Sequence, residues 1–189
     1  MRLFLITCFL LSASAIASAQ SKPSADPSPS AALLDAATRV AGPGAKIIRF
    51  GHLSAPDLDE AVVAAVSSTP SRDGLLVTRL VVLRQVGSTW TPDLTVDKVI
   101  RNPQGFLGAT ALDQLRPSDL YEVELFNRPF DDGKNRFVIQ LTPVTAEGRP
   151  SAPSIYVSWN FIIGRYQQIS MQGYGFEPEL HEPLPANTQ

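Results

Sequence analysis

The chain has almost no cysteine: Cys8 is the single one among 189 residues. Cys8 sits inside an N-terminal apolar run, so once that run is removed there is no disulfide, thiolate metal site or cysteine nucleophile. Imidazole is nearly as scarce, with only His52 and His181. His181 falls in a proline-rich end, which leaves one histidine in the structured part, too few for a usual zinc site. Basic charge is not in excess either. Sixteen Lys and Arg face 18 Asp and Glu, a formal charge of −2. A phosphate-neutralising surface needs clustered cations, so nucleic acid is not an expected partner. The chain has no P-loop, no G-x-G-x-x-G, no G-x-S-x-G and no H-E-x-x-H, which removes the common signatures of nucleotide, hydrolase and metalloprotease chemistry.

Residues 1–19 have the form of an export leader. A short basic start (Met1-Arg2) precedes an apolar stretch from Leu3 to Leu11. Small residues follow, ending Ala17-Ser18-Ala19. This order matches a secretory signal with an A-x-A exit before Gln20, and the apolar stretch is shorter than the roughly 20 residues that cross a bilayer. The expected location is therefore secreted or periplasmic, with no transmembrane span in residues 20–189. That part has 15 basic and 18 acidic residues, a formal charge of −3.

What remains divides into three parts. Residues 20–30 (QSKPSADPSPS) hold three prolines and four serines and are expected to form a flexible or polyproline linker. Residues 31–175 are expected to form one β-rich domain. Residues 176–189 (FEPELHEPLPANTQ) are acidic and proline-rich and are expected to be a disordered tail. Within the domain Ser30 is placed to cap a helix over residues 31–41, with Leu33, Leu34, Ala37 and Val40 on its apolar face and Gly42-Pro43-Gly44 as the stop. A second short helix is expected over 109–115, ended by Pro117.

Runs rich in Val, Ile, Leu, Phe and Tyr, separated by Gly, Pro, Asp and Ser, predict strands over 46–50, 60–67, 75–86, 89–91, 95–100, 120–127, 136–144, 155–160 and 165–171. Gly87-Ser88 reads as a two-residue hairpin turn. Asp131-Asp132-Gly133-Lys134 reads as the tip of a longer hairpin. Phe161-Ile162-Ile163, between two strands, is unusually apolar for a turn. No regular helices separate the strands, which argues against a parallel α/β sheet. The expected fold is mainly β, an antiparallel meander forming a sandwich, an open barrel or a blade, with one short N-terminal helix.

Residues 50–63 (FGHLSAPDLDEAVV), followed by the strand 76–86, the turn Gly87-Ser88 and Thr89-Trp90-Thr91, resemble an integrin-type FG-GAP or VCBS-like propeller-blade repeat. The resemblance covers about 47–94. It implies a blade-like meander and a calcium loop, with Asp57, Asp59 and Glu60 as the residues left to hold the cation. Against that pattern, His52, Ser54 and Pro56 stand where oxygen ligands are expected.

Other chemistry-bearing residues are few. Ser54 lies two residues from His52, without a third group to orient the base. Glu122 and Glu124 alternate on one face of a strand, as on the solvated side of a half-buried sheet. Tyr156, Tyr166 and Tyr174 are candidates for an exposed aromatic face that stacks on a ligand. Alternation places Trp159 with Ile155 and Val157 on a core face. No catalytic residue and no resident cofactor other than calcium emerges. The function expected from these features is a non-catalytic β domain with a binding or scaffolding role at the cell envelope, its partner an envelope protein or a glycan. The alternatives are a glycan-directed hydrolase with a carboxylate pair assembled by the fold, and a carrier of a small apolar ligand.

Overall fold

The computed structural model describes residues 28–68, 74–107, 118–130 and 132–170. The expected leader, most of the expected linker, the helix expected over 109–115 and the tail expected from 176 lie outside these residues.

Helix α1 spans Ala31–Ala41. Ser30 caps it, its Oγ accepting from the Leu33 N–H at 3.2 Å, which satisfies one of the free donors of the first turn. It ends at Gly42, whose φ of +91° is costly for a side-chain-bearing residue. The buried face is Leu33, Ala36, Ala37 and Ala41, and Leu34 is exposed. The expected face was thus rotated by about one residue: Leu34 lies outside it, and Ala36 and Ala41 inside.

Among the described residues ten strands follow: β1 (Lys46–Gly51), β2 (Glu60–Val66), β3 (Leu75–Val86), β4 (Thr89–Val96), β5 (Ile100–Asn102), β6 (Gly105–Phe106), β7 (Tyr121–Pro129), β8 (Asn135–Pro143), β9 (Ile155–Asn160) and β10 (Arg165–Gln168). The named pairings are all antiparallel. The long strand β3 is the hub. One edge takes β2, while the other takes β7 at residues 75–77 and β4 at residues 80–86. From there the sheet runs through β8 and β9 to β10 on one side and through β5 to β6 on the other. It curls into a half-barrel, so that β10 comes against β4 and β5. The Asn102 side chain, donating to the Tyr166 carbonyl at 2.9 Å, ties the two arms.

Alternation along the strands sorts the side chains between two layers. On β2 and β3, Ala61, Val63, Val81 and Leu83 face the helix and pack on Leu33, Ala36, Ala37 and Ala41. Their neighbours Val62, Ala64, Leu80 and Val82 face the hollow of the half-barrel, where Leu94, Val96, Ile139, Leu141, Val157, Trp159 and Tyr166 join them. The hollow is filled by side chains. In β4 the pairs Val82↔Leu94 and Leu83↔Pro92 leave Asp93 as the extra residue of a β-bulge. The separate strands expected over 89–91 and 95–100 are therefore one strand over 89–96 and a short second one from 100. Pro92 is accommodated because β5 pairs only with Thr95 and Val96, so among the described residues no strand pairs with Pro92 on that edge.

Candidate functional site

Two places in the fold gather chemistry: a polar cluster inside the half-barrel and an apolar hairpin tip.

The cluster begins with parity. Glu60 shares the inward register of Val62 and Ala64, and Arg84 that of Leu80 and Val82. The two stand directly opposite each other on β2 and β3. Glu60 is fully buried. Its Oε2 accepts from the Ser54 N–H at 2.8 Å and its Oε1 from the Tyr166 hydroxyl at 3.0 Å. Ser54 Oγ and the Tyr166 hydroxyl lie 2.9 Å apart, closing a ring of three polar groups. The segment between β1 and β2 carries Ser54 over the interior by packing Leu53 and Leu58 on the core. Arg84 ion-pairs with Asp93, which the bulge in β4 turns inward, and its guanidinium lies 3.7 Å over the Trp159 ring. Trp159 in turn meets Tyr166 edge to face at 5.4 Å.

Burial dominates the electrostatics. It pushes the Glu60 carboxyl up, against the hydrogen bonds from Ser54 and Tyr166 and the charge of Arg84. Burial likewise raises Asp93 despite Arg84. Tyr166 is raised well above the usual phenol range, first by burial and then by the Glu60 charge, so its hydroxyl remains a proton donor. Each inward-facing charge has an opposite charge or a hydrogen-bond donor against it. Tyr166 and Glu60 are both sealed from solvent, which suits a clasp between β2, β3, β4 and β10.

The residues proposed for calcium do not converge. Glu60 is turned inward and held by Ser54 and Tyr166, whereas Asp59 faces out, 3.5 Å from His52 Nδ1. Asp57 is exposed. Among the described residues no three His, Cys, Asp or Glu side chains gather as a metal site. The aromatic face is not assembled as expected either. Tyr166 is buried in the clasp because its strand turns that face inward, and Tyr156 is half-buried against Phe130, Val138 and Ile169. Tyr174 lies outside the described residues. Trp159 is in the core, where alternation placed it. Glu122 is half-buried and Glu124 exposed on β7, opposite in facing to buried Tyr121 and Val123. A surface hollow of about 440 Å³ is lined by Ser118, Asp119, Leu120, Val144, Thr145 and their neighbours. Asp119 is the one charged residue among its described lining.

The second place is the β9–β10 tip. Phe161, Ile162 and Ile163 are exposed, Ile162 by 93%. The turn carrying them is braced: the Gly164 N–H donates to the Asn160 carbonyl at 2.8 Å, and the Ile162 N–H to Asn160 Oδ1 at 2.9 Å. Asn160 Nδ2 donates to Gln167 Oε1 at 2.6 Å. Gly164 completes the turn at φ +65°. The β7–β8 tip lies beside it, since Arg136 pairs with Arg128 while Val138 pairs with Ser158. Arg136 joins the two tips, its guanidinium 4.8 Å from the Phe130 ring centre and 5.1 Å from that of Phe161.

No protein family, curated protein or solved structure matches the chain. The geometry of this molecule is therefore what carries a functional reading.

The clasp went unread in the sequence because its members are spread from residue 54 to residue 166. A signal was there: Glu60 and Arg84 are charges on the core-facing register of otherwise apolar strands. Such a charge needs a buried partner. The tip was visible directly, as three consecutive apolar residues between strands.

Proposed function

We propose that the protein is an exported, non-catalytic β domain that docks at the cell envelope through its β9–β10 tip. The observation that carries this reading is the exposure of Phe161, Ile162 and Ile163 together on a braced turn. Single exposed apolar residues are ordinary, but three in a row on a protruding turn are costly to leave in water and mark a contact. The bracing keeps the ordering entropy of docking low. The leader-like residues 1–19 support export, and the Pro/Ser-rich linker would give the domain reach. The likeness of residues 47–94 to an FG-GAP blade is taken as shared local shape: β1 to β4 form an up-and-down meander whose turns can face a partner. The interior charges are assigned to holding the sheet closed.

The test is cell fractionation of the exported protein beside a variant carrying Phe161→Ser, Ile162→Ser and Ile163→Ser. The parent is expected in the envelope fraction and the variant in the soluble fraction, with thermal stability preserved. Equal partitioning of the two would refute docking by the tip.

A further inference from the structure

We infer that the surface met by this tip is an anionic lipid bilayer, with the three apolar side chains entering the headgroup region and the cations beside them facing lipid phosphates. This rests on the docking role proposed above and names its occupant.

Three observations favour lipid. The first is shape and size. Three side chains at these exposures present on the order of 300–400 Å², well below the ~800 Å² per partner of a stable protein interface. A convex apolar point suits a soft, planar medium, whereas a protein would have to offer a matching socket. The second is charge. Segments 128–136 and 160–165 hold Arg128, Lys134, Arg136 and Arg165 against Asp131 and Asp132, a formal +2 in a chain whose total is −2. An anionic leaflet attracts such a local cationic collar and repels the rest of the surface, which orients the molecule. The third is the joining of the two elements. Arg136, its side chain only 13% exposed, lies over the Phe161 ring and ion-pairs with Asp132, so it binds the cationic β7–β8 tip and the apolar β9–β10 tip into one end of the sheet rather than facing lipid itself. Weak apolar anchors need a second, electrostatic signal to hold a membrane, and both are present here.

The experiment is co-sedimentation of the purified exported protein with vesicles of about three parts phosphatidylcholine to one part phosphatidylglycerol, beside vesicles of phosphatidylcholine alone. Binding is expected on the anionic vesicles and should weaken as salt rises. Ile162→Asp should reduce it by roughly 10-fold or more, the loss expected when a fully inserted Ile side chain is replaced by a charge. Ile162→Trp should preserve or strengthen it, since Trp favours the interface. Ile162 is so exposed that neither change should move the melting temperature. Absence of binding to the anionic vesicles would overturn the inference, as would binding indifferent to Ile162→Asp or equal on both compositions. Tip-dependent self-association in sedimentation velocity, or tip-dependent fractionation without vesicle binding, would overturn the lipid assignment while leaving docking intact.

Discussion

The Tyr166 hydroxyl donates to Glu60 Oε1 at 3.0 Å, across 106 residues of chain. Tyr166 comes from the last described strand and Glu60 from the second. This bond fastens one end of the curled sheet to its beginning, and Asn102 adds a tie from β5 to the Tyr166 carbonyl. The half-barrel is thus held by a polar clasp as well as by its apolar filling.

Removing the phenol oxygen tests the clasp directly. Tyr166→Phe keeps the ring against Trp159 and leaves the Glu60 carboxylate with the Ser54 N–H and hydroxyl as its hydrogen-bond donors. A buried acceptor deprived of a donor costs about 1–3 kcal/mol, read as a lower urea midpoint with an unchanged slope. A loss below about 0.5 kcal/mol would show that the bond contributes little to stability.

The Arg84–Asp93 pair should behave as a unit. Both side chains are largely buried, so Arg84→Met alone leaves Asp93 uncompensated and should destabilise by about 2–4 kcal/mol. Adding Asp93→Leu should recover part of that loss, although Glu60 still lacks the Arg84 charge. A double variant whose loss is the sum of the two single losses would contradict the pairing.

The pH dependence has a definite sign. Glu60 is raised above its usual value of 4.5, chiefly by burial. A raised acid favours the protonated folded state, so its contribution is complete below the unfolded value and is lost as pH rises through the folded one. Glu60→Gln removes that titration. The melting temperature of the parent minus that of the variant should therefore fall as pH rises above the usual carboxylate range. A difference that stays constant or grows with pH would mean that Glu60 is not desolvated as described.

Cation dependence follows from where the acids point. Asp57 and Asp59 are exposed or half-exposed, and Glu60 is engaged by Ser54 and Tyr166. Excess calcium or a chelator should leave the melting temperature unchanged, because a ligand that binds the folded state would raise it. A calcium-dependent rise would restore the loop of the FG-GAP resemblance.

Much of the fold was legible. Strands β3 and β9 begin and end where the apolar runs do, and Ser30 and Gly42 mark the ends of the helix. These features depend on neighbours in sequence. Pro92 misled, because a proline reads as a strand breaker unless it is known that no described strand pairs with it on that edge. The helix face was off by one residue because Leu34 is as apolar as Leu33, and only the sheet beneath decides which of them is covered. Tyr166 was assigned to an exposed face because nothing local shows that β10 is turned inward against β4 and β5. The clasp itself is a product of sheet curling, which is set by bulges and non-local pairing.

The scarcity of cysteine offers the most direct measurement of docking. Cys8 lies in the expected leader, so Ile162→Cys in the exported form supplies one labelling point for an environment-sensitive dye, and Val86→Cys, at a second exposed apolar position, supplies a control. With isolated cell envelopes, a blue shift and protection from an aqueous quencher are expected at 162 and not at 86. A dye at 162 that stays as water-exposed as the one at 86 would contradict docking by the β9–β10 tip.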